Sequence, residues 1–193
     1  MNKNIFTFKV KDMVEIAMFC ALAVVLDKFL KIPLGPTGGS LNLSMVPIFV
    51  ISLRHGWFKG FVAGGLIFGF ITCLLDGYGL ITYPLEYLVS FGIMGILGFF
   101  SHFIQKSIED NNKSKIVLSY VLLLGSVCIM FLVRLFAASL DSVLLWDYEW
   151  GPALIYNLTY VGPSLLISTV IFSLLLPVIV RINNYIKSSF LKD

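Results

Sequence analysis

Long apolar stretches separated by short polar or turn-forming segments make up most of the chain. A helix needs about 20 apolar residues to cross the hydrocarbon core of a bilayer, and six stretches are predicted to do so. They cover residues 12–31, 43–53, 57–75, 84–104, 116–140 and 153–180. The second is short, so we expect it to tilt or to thin the bilayer locally. The pattern therefore predicts an all-α membrane protein with six transmembrane helices.

The composition agrees with this interpretation. Of the 193 residues, 58% are hydrophobic and 13% are charged, whereas an average soluble domain has about 45–50% apolar and 25% charged residues. Little sequence remains outside the spans, so residues 1–193 are expected to form one transmembrane domain. The formal net charge is only +3 and no block of basic residues occurs, which excludes a nucleic-acid-binding domain.

The basic residues predict the orientation. If the N-terminus is inside, 11 of the 14 Lys and Arg residues lie on the cytoplasmic side. By the positive-inside rule, both termini of this multi-pass cell-membrane protein are then cytoplasmic. These basic residues are Lys3, Lys9, Lys11, Arg54, Lys59, Lys106, Lys113, Lys115, Arg181, Lys187 and Lys192.

Two ionisable residues, Glu86 and Arg134, qualify well as charges inside a predicted span. A charged side chain at the centre of a membrane helix costs about 2.5–3.5 kcal/mol, so it is rarely there without a role. Glu86 in the fourth span and Arg134 in the fifth are both expected in the outer half, and Glu86 is the only carboxylate placed there. Either the two form a structural ion pair, or they line a water-accessible pocket in which Glu86 faces a cationic ligand.

Aromatic and polar residues are predicted at the same depth as Glu86. Tyr83 and Tyr87 flank it, and Asn157 and Tyr160 are three apart on one face of the sixth span. An outer loop is predicted over residues 141–151 and contains Trp146. These side chains form either an interfacial belt and interhelical hydrogen bonds or a cage for a flat, cationic ligand.

Small residues mark faces for close helix contact. Glycines recur in the third and fourth spans and are expected to serve internal packing. Ala17 and Ala21 are four residues apart in the first span. That alanine stripe suits either internal packing or docking against another membrane protein.

Sequence motifs of several enzyme classes are absent. There is no GxxxxGK[ST] phosphate loop, HExxH or GxSxG, so we predict no enzyme, catalytic residue, metal site or cofactor. The chain has no motif with which to hydrolyse ATP. It also lacks the repeated halves expected of a self-contained secondary transporter.

Five segments together resemble one known family, the substrate-binding S components of energy-coupling factor vitamin transporters, and within it the thiamine-specific branch. The resemblance extends from about residue 12 to residue 180. The segments are Ala17-x-x-x-Ala21, the run from Gly39 to Ile48, Arg54-His55-Gly56, the run from Tyr83 to Tyr87, and the run from Tyr156 to Ser164.

The resemblance implies high-affinity capture of a vitamin, most closely thiamine, in a deep pocket near the outer face under the loop between the first two spans. It also implies a separate transmembrane coupling subunit and two cytoplasmic ATPases as partners. By matching position, Glu86 and Tyr87 correspond to the pocket acid and its neighbouring tyrosine, and Trp146 to the stacking tryptophan. Asn157 corresponds to a ligand-contacting asparagine, Arg134 to a basic residue of the family, and Ala17 and Ala21 to the motif that docks on the coupling subunit.

The chain departs from the family pattern at three places. Ala138 stands where a histidine is expected, Pro152 where a tyrosine is expected, and the first outer loop has no tryptophan. Tyr148 or Trp150 is a candidate to replace the lost ring. Two alternatives therefore stay open: an S component for another vitamin or a thiamine precursor, and a membrane scaffold protein in which Glu86 and Arg134 only pair.

Overall fold

The computed structural model describes residues 6–33 and 39–189, and nearly all of them are helical. The connection between the first two helices contains a short antiparallel hairpin, β1 (Ile32–Pro33) and β2 (Ser40–Leu41), in which Ile32 pairs with Leu41. The helices of the described residues are α1 (Val10–Phe29), α2 (Met45–His55), α3 (Trp57–Asp76), α4 (Leu80–Phe99), α5 (Ser101–Glu109), α6 (Lys113–Trp146) and α7 (Trp150–Ser189).

Four of these helices are long and apolar enough to cross a membrane, namely α3, α4, α6 and, over Trp150–Asn183, α7. The prediction of an all-α membrane protein is confirmed. The six predicted spans additionally include α1, which has 20 residues but carries charges in its first and last turns. They also include α2, which is apolar but has only 11 residues.

Helix α2 lies in the centre of the bundle. Every residue from Met45 to Leu53 is buried, and Phe49 packs edge-on against Phe172 of α7. A helix surrounded by protein does not need to match the thickness of the bilayer, which explains why this apolar segment is so short.

Ion pairs tie α1 to its neighbours at both of its ends. Near its start, Asp12 lies 2.6 Å from Lys59 of α3, and Glu15 lies 2.7 Å from Arg54 of α2. Near its end, Lys28 pairs with Asp76 at the end of α3. Helices α1 and α3 therefore run in the same direction.

The glycines of α3 and α4 face one another, as expected. A Cβ atom on Gly60 would lie 3.0 Å from Gly95 Cα, and one on Gly65 would lie 3.1 Å from Gly92 Cα. A Cβ atom on Gly95 would lie only 2.5 Å from the carbonyl oxygen of Trp57. The two backbones approach each other this closely because these positions have no side chains.

Two predicted boundaries are wrong. The fourth span does not continue to residue 104, because α4 ends at Phe99 and a separate helix begins at Ser101. The predicted outer loop over 141–151 is reduced to residues 147–149, because α6 continues to Trp146. Asp141 and Ser142 are buried in that helix, and Ser142 Oγ donates to the carbonyl of Ala138 at 3.0 Å. Their polarity therefore reflects inward-facing contacts and not a loop.

Candidate functional site

A cavity of about 430 Å³ opens at the end of the bundle where α1 and α3 finish. Its described lining comes from the hairpin and from α1, α3, α4, α6, α7 and the turns beside them. The charged lining residues are Asp27, Asp76, Glu86, Asp141, Lys31 and Arg134; the aromatic ones are Tyr78, Tyr87, Phe91, Trp146, Tyr148, Tyr156 and Tyr160; and the others are Gly39, Ser40, Asn42, Thr82, Ser142 and Asn157.

Six of the seven residues predicted to bind a ligand line this one cavity: Glu86, Tyr87, Arg134, Trp146, Asn157 and Tyr160. Tyr83 is not among the described lining residues. Its hydroxyl donates to the carbonyl of Gly65 at 3.1 Å, and its ring lies edge-on to Phe70. Tyr83 joins α4 to α3, whereas Tyr87, one turn later, faces the cavity.

Glu86 and Tyr87 lie in a π-helical segment of α4, Tyr83–Val89. Such wide turns inside a helix are rare and frequently occur at functional sites. Glu86 is half-buried, and its Oε1 lies 3.3 Å from the Tyr160 hydroxyl on α7. The carboxylate is thus held at the cavity wall by a neighbouring helix.

Asn157 holds this part of α7 together. Its Oδ1 lies 2.5 Å from the Tyr160 hydroxyl, and its Nδ2 donates to Ser142 Oγ at 3.0 Å and to the carbonyl of Ala153 at 2.9 Å. Because Asn157 is 1% exposed and has contacts at both ends of its amide, it fixes the position of Tyr160 and, through Tyr160, of Glu86.

Arg134 does not form a direct ion pair with Glu86. The ion pairs found among the described residues include neither of them. The guanidinium carbon instead lies 4.6 Å from the centre of the Phe91 ring, and Nη1 donates to Met45 Sδ at 3.2 Å. The structure therefore does not show the direct ion pair between Glu86 and Arg134 that was one of the two alternatives.

Three cavity carboxylates were missed in the sequence, so Glu86 is not the only one at this depth. Asp27 accepts from Asn42 Nδ2 at 3.0 Å, and Asp76 accepts from Lys28 and from the Tyr87 hydroxyl. Asp141 lies on α6. A signal for Asp141 was available, because it follows Arg134 by seven residues, two helical turns, and so shares its face.

Aromatic rings surround the mouth of the cavity. Trp146 is 50% exposed and lies edge-on to Tyr78 at 6.0 Å. Tyr148 lines the cavity and stacks on Tyr156 with 24° between the ring planes. Trp150 stacks on Phe136 and is not among the lining residues. Of the two candidates to replace a lost ring, Tyr148 is the one at the cavity.

Two of the three departures from the family pattern, Ala138 and Pro152, lie outside the described lining. Ala138 is 1% exposed and packs inside the bundle, whereas Pro152 is exposed near the start of α7. Neither is among the described residues that line the cavity.

The hairpin covers one side of the cavity. Ser164 Oγ donates to the carbonyl of Ser40 at 3.2 Å, and the Asn42 N–H donates to the same Oγ at 3.4 Å. Gly39 has φ +73°, and a Cβ atom there would lie 2.6 Å from the Tyr160 ring. The chain thus passes directly over Tyr160. The middle of the connection, residues 34–38, lies outside the described residues.

Ala17 and Ala21 lie on an exposed face of α1, and neither is among the described residues that line the cavity. Both are exposed, whereas Ile16, Cys20 and Asp27 form the buried face of that helix. In the described residues, the alanine stripe therefore does not serve internal packing, which was one of the two roles considered for it.

Comparison with known proteins gives consistent results. The family described as "Thiamine transporter protein" matches residues 13–188. The thiamine transporter ThiT of Bacillus subtilis (strain 168) is 34% identical over 182 residues, which cover 84% of this chain and 88% of that protein. ThiT of Lacticaseibacillus paracasei is 26% identical over 167 residues, covering 81% and 80%. A solved structure of ThiT from Listeria monocytogenes aligns with a TM-score of 0.70 at 26% identity, covering 89% of this chain and 97% of that one.

Proposed function

Because the chain belongs to the thiamine transporter protein family, we propose that it captures thiamine in the cavity between α1, α4, α6 and α7. It acts in uptake as the substrate-binding S component of an energy-coupling factor transporter. It is a membrane transport protein and not an enzyme, in keeping with that family. The observation that supports the site is the convergence of carboxylates and aromatic rings on one cavity.

The charge of the cavity suits a monocation. Among the described residues, four carboxylates line it, against the two basic lining residues Lys31 and Arg134. A third basic residue, Lys28, pairs with Asp76. In formal charges this leaves an excess of one negative charge. Thiamine carries one permanent positive charge on its thiazolium ring, and burial of that charge is costly unless anions or aromatic faces compensate it.

The lining residues have separate roles in this proposal. Glu86 supplies a negative charge, and Trp146 offers a ring face to the flat ligand at the mouth of the cavity. Tyr160 and Asn157 hold Glu86 in place and contact the ligand beside it. Tyr87 and Arg134 complete the wall behind Glu86.

We also propose that all of residues 1–193 form one domain with six crossings and both termini in the cytoplasm. The family match over residues 13–188 and the eleven basic residues of one side support this arrangement. The exposed alanine face of α1 then docks on a transmembrane coupling subunit, which works with two cytoplasmic ATPases. Ala17 and Ala21 allow close approach there because their side chains are small.

Uptake of labelled thiamine tests this proposal. The chain is expressed with the coupling subunit and both ATPases in cells that lack their own thiamine uptake, and the same cells without the chain are the control. Accumulation should require the chain and should be blocked by excess unlabelled thiamine, whereas excess riboflavin, a neutral vitamin, should not compete. If labelled thiamine neither accumulates nor binds to the purified chain, the proposal is wrong.

A further inference from the structure

Asp141 differs from the other three carboxylates of the cavity. It is 4% exposed, it lines the cavity, and its Oδ1 has no hydrogen-bond partner among the described residues. Asp27 accepts from Asn42, Asp76 accepts from Lys28, and Glu86 lies within hydrogen-bond distance of Tyr160. Asp141 is therefore the cavity carboxylate with a fully buried oxygen that lacks a donor.

A buried carboxylate oxygen without a donor is unfavourable, because it has lost its water and gained nothing in exchange. The surroundings of Asp141 supply no basic partner. On its own helix, Ser142 donates to the carbonyl of Ala138, and Arg134, two turns away, donates to Met45. From α7, the amide of Asn157 donates to Ser142 and Ala153. Trp146, five residues further along α6, hydrogen-bonds to the Asp141 carboxylate, yet Oδ1 has no partner among the described residues. The cavity that Asp141 lines is where a donor for Oδ1 can enter.

We propose that Asp141 Oδ1 accepts a hydrogen bond from an N–H or O–H donor of the bound ligand and so acts as a specificity-determining residue. This inference rests on the proposed function. Thiamine carries two such donors, the amino group of its pyrimidine ring and its terminal hydroxyl. Glu86 lies on α4 and Asp141 on α6, so two walls of the cavity each contribute one carboxylate. A flat cation without a donor group leaves Asp141 Oδ1 without a partner and is bound more weakly.

The first experiment compares thiamine binding by calorimetry to purified wild type, Asp141→Asn and Asp141→Ala. The charge-assisted hydrogen bond is lost in both, so affinity should fall about tenfold or more. Asp147→Asn is the matched control. Asp147 is exposed just beyond α6 with φ +54°, which Asn tolerates well, and it is not among the lining residues. Its affinity should equal that of wild type.

Thermal unfolding of the ligand-free protein separates a ligand contact from a structural role. Removal of an unpaired buried charge should leave the melting temperature of Asp141→Asn equal to or above that of wild type. A melting temperature that falls together with the affinity contradicts the proposal, because it indicates that Asp141 holds the fold.

Two thiamine analogues, one lacking the amino group and one lacking the hydroxyl, identify the donor. One of the two analogues lacks the group that donates to Asp141. That analogue should bind wild type weakly, and Asp141→Asn should reduce its affinity little further. For the other analogue, Asp141→Asn should reduce the affinity by the same factor as for thiamine. The inference is wrong if Asp141→Asn binds thiamine as tightly as wild type, or if both analogues lose the full factor. If wild type itself does not bind thiamine, the proposed function fails and the inference fails with it.

Discussion

Replacement of Glu86 by Gln is expected to weaken thiamine binding while the fold is retained. Gln has nearly the shape of Glu, and its Oε1 can still accept from the Tyr160 hydroxyl, which lies 3.3 Å from Glu86 Oε1 in the wild type. The change therefore removes the negative charge but keeps the contact between α4 and α7.

The magnitude follows from the position of Glu86. Two unit charges 4 Å apart interact by about 4 kcal/mol at an effective dielectric constant of 20, and Arg134, which lines the same cavity, opposes part of that attraction. A net loss of about 1.5–3 kcal/mol is typical for a hydrogen bond to a charged group. This loss corresponds to about a 10- to 150-fold weaker affinity.

Quenching of tryptophan fluorescence by thiamine measures this loss. Trp146 lines the cavity and serves as the reporter, so Trp146→Ala should abolish most of the quenching and confirm its origin. Glu149→Gln removes a charge from an exposed residue outside the described lining and should bind like wild type. If Glu86→Gln binds thiamine as tightly as wild type, the role assigned to the carboxylate is wrong.

Three further predictions concern docking, packing and topology. Ala17→Trp should abolish uptake but leave thiamine binding intact. Its control is Leu132→Trp, a change at another exposed apolar position, which should preserve both uptake and binding. Intact uptake in Ala17→Trp refutes the docking role. Gly95→Ala should destabilise the fold by about 1–3 kcal/mol through overpacking. In its control, Gly125→Ala, the added Cβ atom meets nothing within 4 Å, so the melting temperature should not fall. Equal melting temperatures for the two variants would contradict the close packing of α3 on α4. A reporter fused after Asp193 should be active only in the cytoplasm, and activity on the outer face overturns the proposed orientation.

The positions of the apolar stretches and six of the described residues that line the cavity could be predicted because both depend on local patterns. Glu86 and Arg134 were found because a charge within an apolar stretch is expensive. Asn157 and Tyr160 were found because their spacing places them on one helix face. All four line the same cavity.

The rest depends on tertiary contacts that no local pattern encodes. Asp141 lies in the predicted outer loop because the fifth predicted span ends at residue 140, yet it faces inward from a helix. Asp76 lies just beyond the predicted third span, and its partners Lys28 and Tyr87 are 48 and 11 residues away in the chain. Tyr83 is only three residues from Glu86 in the sequence, but the helix turns its hydroxyl toward Gly65.

The most direct test of the central claim is the identity of the molecule that the protein carries from the cell. The chain is purified in detergent from cells grown with a mixture of vitamins, denatured, and the released small molecules are identified by mass spectrometry. Thiamine is expected at about one molecule per chain, and a strongly reduced amount from Glu86→Gln prepared in parallel. Release of a different vitamin in that amount, or of none from protein that is folded and incubated with excess thiamine, would contradict that expectation.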